Sequence, residues 1–173
     1  MKARIEIVKK GITELDVDCI VNAANEYLEY GGVCGAIFEA AGISELQTAC
    51  AKYGKCQTGS AVITPGFRLK AKHVIHAVGP VWCGGGLGEP ALLRSCDQES
   101  LRLAMEHECK TVAFPLISSG IYGYPKKLAW QEAITAICQC LDAHADSELR
   151  VIMSVLDEQM YQLGKDVLRE MTV

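Results

Sequence analysis

The sequence predicts an α/β fold in which helices cover both faces of a sheet. The first observation is that short apolar runs recur along the 173 residues and alternate with longer segments whose apolar residues have helical spacing. The second is a composition of 50% hydrophobic and 22% charged residues, which is typical of a globular protein. A chain of this length is expected to form one domain, covering residues 1–173.

Six apolar runs have the length and residue types of β-strands. ARIEIV alternates apolar and polar residues, whereas CIVNAA and TVAFPLI are continuous apolar runs, as in buried strands. The predicted strands are residues 3–8, 19–24, 60–64, 73–79, 111–117 and 150–156.

Apolar residues at helical spacing occupy four of the segments between and after these strands. The predicted helices are residues 33–41, 90–107, 125–141 and 157–170. Gly42 is expected to end the first helix, and Pro125 suits the first position of the third.

The nine cysteines are predicted to be reduced thiols in a cytoplasmic protein. Their number is odd, no Cys-x-x-Cys pair is present, and a chain of this size needs no disulfide to hold a core. A zinc site is the alternative, but His107 with Cys109 and Cys138 with Cys140 are isolated pairs. Core packing is therefore the favoured interpretation.

Charge and hydropathy exclude several function classes. The amino terminus has no apolar run of the kind found in signal peptides, and no stretch approaches 18 apolar residues, so no membrane association is expected. The net charge of −4, without a basic cluster, argues against direct nucleic-acid binding. A phosphorylated small molecule remains possible as a ligand, because backbone N–H groups can hold phosphate. The chain is expected to be a monomer without a cofactor.

Two glycine-containing loops follow predicted strands and precede predicted helices. The first is NEYLEYGGVCG (25–35), and the second is ISSGIYGYP (117–125). Each loop can direct several N–H groups at one point, and the ends of neighbouring strands are the usual ligand sites of α/β sheets. Either loop alone is equally consistent with a tight strand-to-helix turn. Together they favour a site that holds a diphosphate between them.

Two asparagines frame the end of the strand at 19–24. As a structural residue, Asn25 would form or cap a turn, and Asn22 would make a hydrogen bond at the strand end. As a functional residue, an asparagine amide can both donate and accept a hydrogen bond, so it can orient a sugar hydroxyl or a water molecule.

Three segments, DCIVNAANEYLEYGGVCGAIFEAAG, HVIHAVGPVW and VAFPLISSGIYGYP, resemble in that order the macro domain family of ADP-ribose binders and ADP-ribosyl hydrolases. The likeness runs from residue 4 to about residue 156 and is greatest to stand-alone bacterial members that remove acyl or protein groups from ADP-ribose. It implies a three-layer α/β/α sandwich with a mixed sheet of about six strands.

The resemblance also implies the roles of individual residues. Residues 31–35 and Ser118 to Tyr122 would hold the phosphates from two sides, Asn25 and Tyr122 would meet the distal ribose, and Ile12 would lie near the adenine. Asn25 and Cys34 are the candidate catalytic residues. The candidate ligand-binding residues are Ile12, Asn22, Asn25, Gly31, Gly32, Val33, Gly35, Ser118, Ser119, Gly120, Ile121 and Tyr122.

The chain departs from the family pattern at several positions. Cys34 stands where hydrolytic members commonly carry an aspartate that is thought to activate water. The loop that contains Cys34 is one glycine shorter than in those members, and Phe38 stands where a histidine is frequent. Lys10-Gly11-Ile12-Thr13 replaces the usual Gly-Asp-Ile-Thr, so the aspartate that holds the adenine amino group is absent, with Asp16 and Asp18 as candidate substitutes.

Three hypotheses about function follow. The first is hydrolysis of ADP-ribosyl esters, either O-acetyl-ADP-ribose or ADP-ribose on protein carboxylates, with water oriented by Asn25 and a substrate phosphate. Certain viral members also lack the aspartate and are regarded as hydrolases. The second is a reader that binds ADP-ribose without turnover. The third is thiol chemistry at Cys34, because a cysteine at a helix start has a depressed pKa.

Overall fold

A computed structural model describes residues 4–31 and 35–171. Six strands form one sheet in the order β1-β6-β5-β2-β4-β3. They are β1 (Ile5–Lys9), β2 (Cys19–Ala23), β3 (Ala61–Pro65), β4 (His73–Ala77), β5 (Thr111–Phe114) and β6 (Arg150–Val155). Neighbouring strands run parallel except at the edge, where β3 pairs antiparallel with β4. The predicted mixed sheet is confirmed.

Helices cover both faces of this sheet, which confirms the predicted three-layer α/β/α sandwich. The helices are α1 (Gly35–Ala41), α2 (Ile43–Ala51), α3 (Glu89–Glu106), α4 (Lys126–Ala143) and α5 (Glu158–Glu170), and a 3₁₀ turn spans Ile12–Glu14. On one face, α4 packs against both α3 and α5, and on the other face α1 and α2 pack together. Within the described ranges, no helix has the length and apolar character needed to cross a bilayer.

Alternate residues of the central strands enter two separate cores, because side chains along a strand point to opposite faces. In β2, Cys19 and Val21 pack with α3 and α4, whereas Ile20 packs toward α1 and α2. Both faces are therefore covered, which explains why the strand is a continuous apolar run. None of the eight cysteines within the described residues forms a disulfide bond.

The structure differs from the sequence prediction at helix α2 and at the strand ends. Gly42, with φ of +109°, ends α1 as expected, but it also precedes α2, which the sequence analysis left unassigned. Strands β4 and β5 end at Ala77 and Phe114, earlier than predicted. The residues beyond those ends, Val78 to Pro80 and Pro115 to Tyr124, form loops instead.

A carboxyl group lies in the core between these layers. Asp97 of α3 is 2% exposed, and its Oδ2 has no hydrogen-bond partner within the described residues. Burial, with a smaller effect from the charge of Glu132, holds the pKa of Asp97 well above its ordinary value of 3.8. At pH values between 3.8 and this raised pKa, the carboxyl is neutral in the folded protein and ionised in the unfolded chain.

We expect Asp97→Asn to stabilise the protein at neutral pH. A raised pKa in the folded state means that the free energy of unfolding falls as pH rises above about 3.8. Asparagine cannot ionise, so it removes this loss, which amounts to about 1.4 kcal/mol for each pH unit between 3.8 and the raised pKa. Urea unfolding at pH 4 and pH 7 measures the change, with the exposed Asp146→Asn as the control. An equal gain at both pH values would contradict the explanation.

Candidate functional site

A cavity of about 450 Å³ opens at the carboxyl ends of β2, β5 and β6. These strands are parallel, so their carboxyl ends lie on the same side of the sheet and the loops that follow them meet there. The lining comes from the ends of the strands, from the loops after β2, β4 and β5, and from the start of α5. The lining residues are Ala23, Ala24, Asn25, Gly31, Gly79, Pro115 to Tyr122, Ser154, Val155, Leu156 and Met160.

The loop after β5 is held in place by hydrogen bonds within the loop itself. Ser119 donates its hydroxyl to the carbonyl of Leu116 at 2.7 Å, and Tyr124 N–H donates to the carbonyl of Ser118 at 2.9 Å. Ser118 has φ of +68°, a left-handed conformation that is uncommon for a residue with a side chain. Such strain persists where the surrounding structure fixes it, and it is concentrated at functional sites.

This loop presents unpaired donors at the cavity. Ser118 is 7% exposed, and its Oγ has no hydrogen-bond partner within residues 4–31 and 35–171. Within the same ranges, the N–H groups of Gly120 and Ile121 make no backbone hydrogen bond. Since buried polar groups are normally hydrogen-bonded, a buried hydroxyl lining a cavity indicates a ligand position.

Gly79, which follows β4, allows this loop to approach. A β-carbon at Gly79 would lie 2.3 Å from Oγ of Ser118 and 2.4 Å from Cγ2 of Ile117. Both distances are far shorter than van der Waals contact. The position therefore requires glycine if Ser118 is to keep its place.

The loop after β2 is organised by Asn25. Its Oδ1 accepts hydrogen bonds from the N–H groups of Tyr27 at 3.0 Å and Glu29 at 3.3 Å. Leu28 in the same loop is buried and has φ of +58°. Because the loop uses Oδ1, the Nδ2 amide is the group with which Asn25 can bind a ligand, and it can only donate.

Gln47 of α2 fixes the same loop from behind, which the sequence did not indicate. Its Oε1 accepts from Tyr30 N–H at 2.9 Å, and its Nε2 donates to the carbonyl of Leu28 at 3.3 Å. Sequence analysis missed this contact because α2 was unassigned and 17 residues separate Gln47 from Tyr30. No local motif marks such a residue.

Glu89, at the start of α3, holds the segment that contacts the second loop. Its carboxylate accepts from the N–H groups of Cys83, Gly85 and Leu87. Burial alone would raise the pKa of Glu89, but the backbone donors outweigh it and hold the pKa at about 2. The backbone N–H of Trp82 in this segment donates to the carbonyl of Tyr122 at 2.8 Å.

Asn22 lies in the core and not in the cavity lining. Its Nδ2 donates to Nδ1 of His76 at 3.1 Å, and Nε2 of His76 is 3.0 Å from Oγ1 of Thr64. Burial lowers the pKa of His76 to about 4, so the ring is neutral near pH 7 and donates to Thr64. The side chain of Asn22 is thus part of a chain of hydrogen bonds that links β2, β4 and β3.

The remaining candidates have different positions. Asn25, Gly31, Ser118, Ser119, Gly120, Ile121 and Tyr122 line the cavity. Ile12 is half-buried in the 3₁₀ turn against the core below α1 and α2, Gly35 begins α1, and neither is among the lining residues. The predictions for Gly32, Val33 and Cys34 lie outside the described residues.

Asp18 lies at the amino ends of β2 and β5, whereas the cavity lies at their carboxyl ends. It therefore cannot substitute for an aspartate at the cavity. Its Oδ2 accepts from the N–H groups of Lys110 at 2.7 Å and Thr111 at 3.3 Å, at the amino end of β5. No described residue lining the cavity has a carboxylate, imidazole or thiol. No group of three or more His, Cys, Asp or Glu side chains suited to a metal ion occurs in the described ranges.

Comparison with protein-family models matches residues 21–133 to the Macro domain. A macro domain-containing protein of Mesorhizobium japonicum is 50% identical over 161 residues, which cover 92% of this chain and 90% of that protein. The ADP-ribose glycohydrolase MACROD1 of Rattus norvegicus is 44% identical over 167 residues, covering 94% of this chain and 64% of that protein.

Solved structures share the same fold. The macrodomain of Oceanobacillus iheyensis, determined with ADP, has a TM-score of 0.88 and 35% identity. The similarity covers 96% of this chain and 90% of that chain.

Proposed function

Because the chain belongs to the macro domain family, we propose that it binds ADP-ribose in the 450 Å³ cavity and hydrolyses ADP-ribosyl esters. The observation that carries the proposal is the buried, unpaired hydroxyl of Ser118, which lies beside the available N–H groups of Gly120 and Ile121. The name of the rat relative, an ADP-ribose glycohydrolase, and the ADP complex of the Oceanobacillus iheyensis structure support it.

The chemistry of the cavity suits a diphosphate. Ser118, Gly120 and Ile121 offer donors, and the described lining contains no carboxylate to repel an anion. The volume is within the usual range of small-molecule sites, roughly 300–1,000 Å³. The site needs no lysine or arginine, which fits the net charge of −4.

Asn25 is the residue that orients the reacting end of the substrate. Its Nδ2 donates to the distal ribose or to the attacking water, but an amide cannot take up the proton of that water. Because the described lining offers no base, the proton goes to a phosphate oxygen of the substrate. The substrates are then O-acetyl-ADP-ribose or ADP-ribose esterified to a protein carboxylate, and hydrolysis releases the acid.

A reader of ADP-ribose without turnover is the second candidate. The observation favouring it is the same lack of a carboxylate, imidazole or thiol in the described lining. Calorimetry with ADP-ribose, followed by turnover assays with O-acetyl-ADP-ribose and an ester-linked ADP-ribosylated protein, separates the two. Binding with turnover supports the hydrolase, binding without turnover selects the reader, and no binding refutes both.

Variants at Cys34 test how the reaction proceeds. We expect Cys34→Ala to keep binding and turnover within about threefold, as a space-filling residue would. We expect Cys34→Asp to raise turnover modestly, below the roughly 10²–10⁴-fold that a well-placed acid or base contributes. A shorter loop misplaces the carboxylate, and an error of about 1 Å costs roughly 10²-fold.

The exposed Cys83→Ala is the matched control for these variants. Loss of turnover in Cys34→Ala with unchanged ADP-ribose affinity, together with an ADP-ribosyl-thiol adduct in mass spectrometry, would instead identify Cys34 as a nucleophile.

A further inference from the structure

Exposed apolar side chains border one side of the cavity mouth. Four of the eleven large hydrophobic side chains that are exposed within the described residues belong to segments 81–87 and 121–128. They are Val81, Leu87, Ile121 and Leu128, and Ile121, which is 85% exposed, also lines the cavity. Apolar side chains grouped in this way indicate a surface that contacts another molecule.

Backbone and ring contacts place the starts of the two segments side by side. The backbone N–H of Trp82 donates to the carbonyl of Tyr122 at 2.8 Å. The ring centroids of Trp82 and Tyr124 are 4.7 Å apart. Val81 and Ile121, which precede Trp82 and Tyr122 in the chain, therefore lie on neighbouring stretches of backbone.

Helices α3 and α4 bring the ends of the two segments to the same place. Each helix follows a strand that runs parallel to β2, so both helices begin at the end of the sheet where the cavity lies. An ion pair of 3.1 Å between Arg94 and Glu132 links their first turns. Leu87, just before α3, and Leu128, in the first turn of α4, thus lie on the same side of the cavity mouth.

This side of the mouth has positive charge and no exposed carboxylate from its own segments. Lys126 and Lys127 begin α4, are exposed, and form no ion pair within the described residues. Residues 46–88 and 109–131 contain no aspartate or glutamate, and Glu89 is buried. The rim surface is defined here as Val81, Leu87, Ile121, Lys126, Lys127 and Leu128.

The rim surface adjoins the end of the cavity at which the ester is expected. Strand β4 lies beside β2, whose loop carries Asn25, and Val81 is two residues past Gly79 of the cavity lining. In the proposed reaction, Asn25 orients the reacting end of the substrate. A polypeptide attached there can lie on the rim while its modified side chain enters the cavity, whereas a bilayer or a second copy of the chain would cover the mouth.

We propose that the rim surface binds the polypeptide of an ADP-ribosylated protein, at acidic and apolar residues that flank the esterified carboxylate. The inference rests on the proposed function and selects protein esters, and not O-acetyl-ADP-ribose, as the substrate class. Such an ester forms on an aspartate or a glutamate, and further carboxylates in the same segment would complement the charges of Lys126 and Lys127. The apolar side chains of the rim supply contact area.

Calorimetry tests the proposal with free ADP-ribose and two peptides that carry ADP-ribose through a hydrolysis-resistant amide, so that turnover does not affect the measurement. Glutamates and leucines flank the modified position in one peptide, and lysines and leucines flank it in the other. We expect the parent to bind the acidic peptide about tenfold more tightly than the basic one at low salt, as for two or more exposed ion pairs, and less so at high salt.

Two double variants separate the contributions of charge and apolar contact. Lys126→Glu with Lys127→Glu should remove the preference for the acidic peptide and leave the affinity for free ADP-ribose unchanged. Leu87→Ser with Leu128→Ser should weaken both peptides by about tenfold, the effect of losing the burial of roughly two methylene groups, again without changing the affinity for free ADP-ribose.

Lys70→Glu with Lys72→Glu is the matched control for the lysine variant. Both lysines are exposed in the segment before β4, at the opposite end of the sheet, so the net charge changes equally but far from the rim. Equal affinity of the parent for both peptides, or a preference that the control also removes, would overturn the proposal. Weaker binding of free ADP-ribose by the variant at Lys126 and Lys127 would place these charges at the phosphates and overturn it too.

Other occupants of the rim surface have their own signatures. Sedimentation with phosphatidylserine vesicles, or dimerisation in ultracentrifugation, that is lost in the variant at Lys126 and Lys127 would assign the rim to a bilayer or a second copy and overturn the proposal. A parent that binds neither free ADP-ribose nor the peptides would instead refute the proposed function itself.

Discussion

Replacing Gly79 with alanine is expected to lower ADP-ribose affinity by about 100-fold. The new methyl group would lie 2.3 Å from Oγ of Ser118 and 2.4 Å from Cγ2 of Ile117, so these two side chains must shift, and we expect the loop that carries them to shift too. That movement displaces the Ser118 hydroxyl and the N–H groups beyond it, and errors of about 1 Å in a positioned group cost roughly 10²-fold. Overpacking should also lower the free energy of unfolding by about 1–3 kcal/mol.

Gly86→Ala is the matched control for Gly79→Ala. Nothing lies within 4 Å of a β-carbon built on Gly86, so the same added methyl group meets no obstacle there. Calorimetry measures the affinity, and urea unfolding shows that both variants are folded. If Gly79→Ala folded and bound ADP-ribose as tightly as Gly86→Ala, the diphosphate would not be held by the loop at 118–122.

The layers of the fold could be predicted because each depends on a local pattern. Continuous apolar runs such as those of β2 and β5 follow from strands covered on both faces. Helix α2 was missed for two physical reasons. It buries only Leu46 and Cys50, so its apolar stripe is narrow, and Gly42 indicated the end of α1 and not the start of another helix. The early ends of β4 and β5 depend on where loop packing begins, which no local pattern indicates.

The position of the cavity was predictable, but the contacts that shape it were not. Polar and glycine-rich residues after buried strands identify the end of the sheet at which Asn25 and Ser118 line the same cavity. The close approach of Gly79 to Ser118 and the support of Leu28 by Gln47 join segments far apart in the chain. Sequence also left open what each asparagine does, because that depends on partners such as His76 for Asn22.

The second large effect is expected at Asn25. Two variants separate the hydrogen bonds that its Oδ1 accepts within the loop from the hydrogen bond that its Nδ2 would donate to the substrate or to water. Asn25→Asp keeps an oxygen to accept from Tyr27 and Glu29, but it removes the Nδ2 donor. We expect turnover to fall by about 10²–10³-fold, as when one donor to a reacting centre is lost. The melting temperature should stay unchanged, because the two loop hydrogen bonds persist. ADP-ribose affinity should also fall, since a carboxylate repels the diphosphate.

Asn25→Ala removes the donor without adding charge, so it should lower turnover more than affinity, as expected for an interaction made mainly in the transition state. It also loosens the loop, and Gln47→Ala is the control because it releases Tyr30 and Leu28 without touching the amide of Asn25. Turnover and affinity measured for all three variants distinguish the outcomes. Equal losses of both in Asn25→Ala would make Asn25 a simple binding residue. Full turnover in Asn25→Asp, with losses in Asn25→Ala matching those of Gln47→Ala, would reduce it to a residue that shapes the loop.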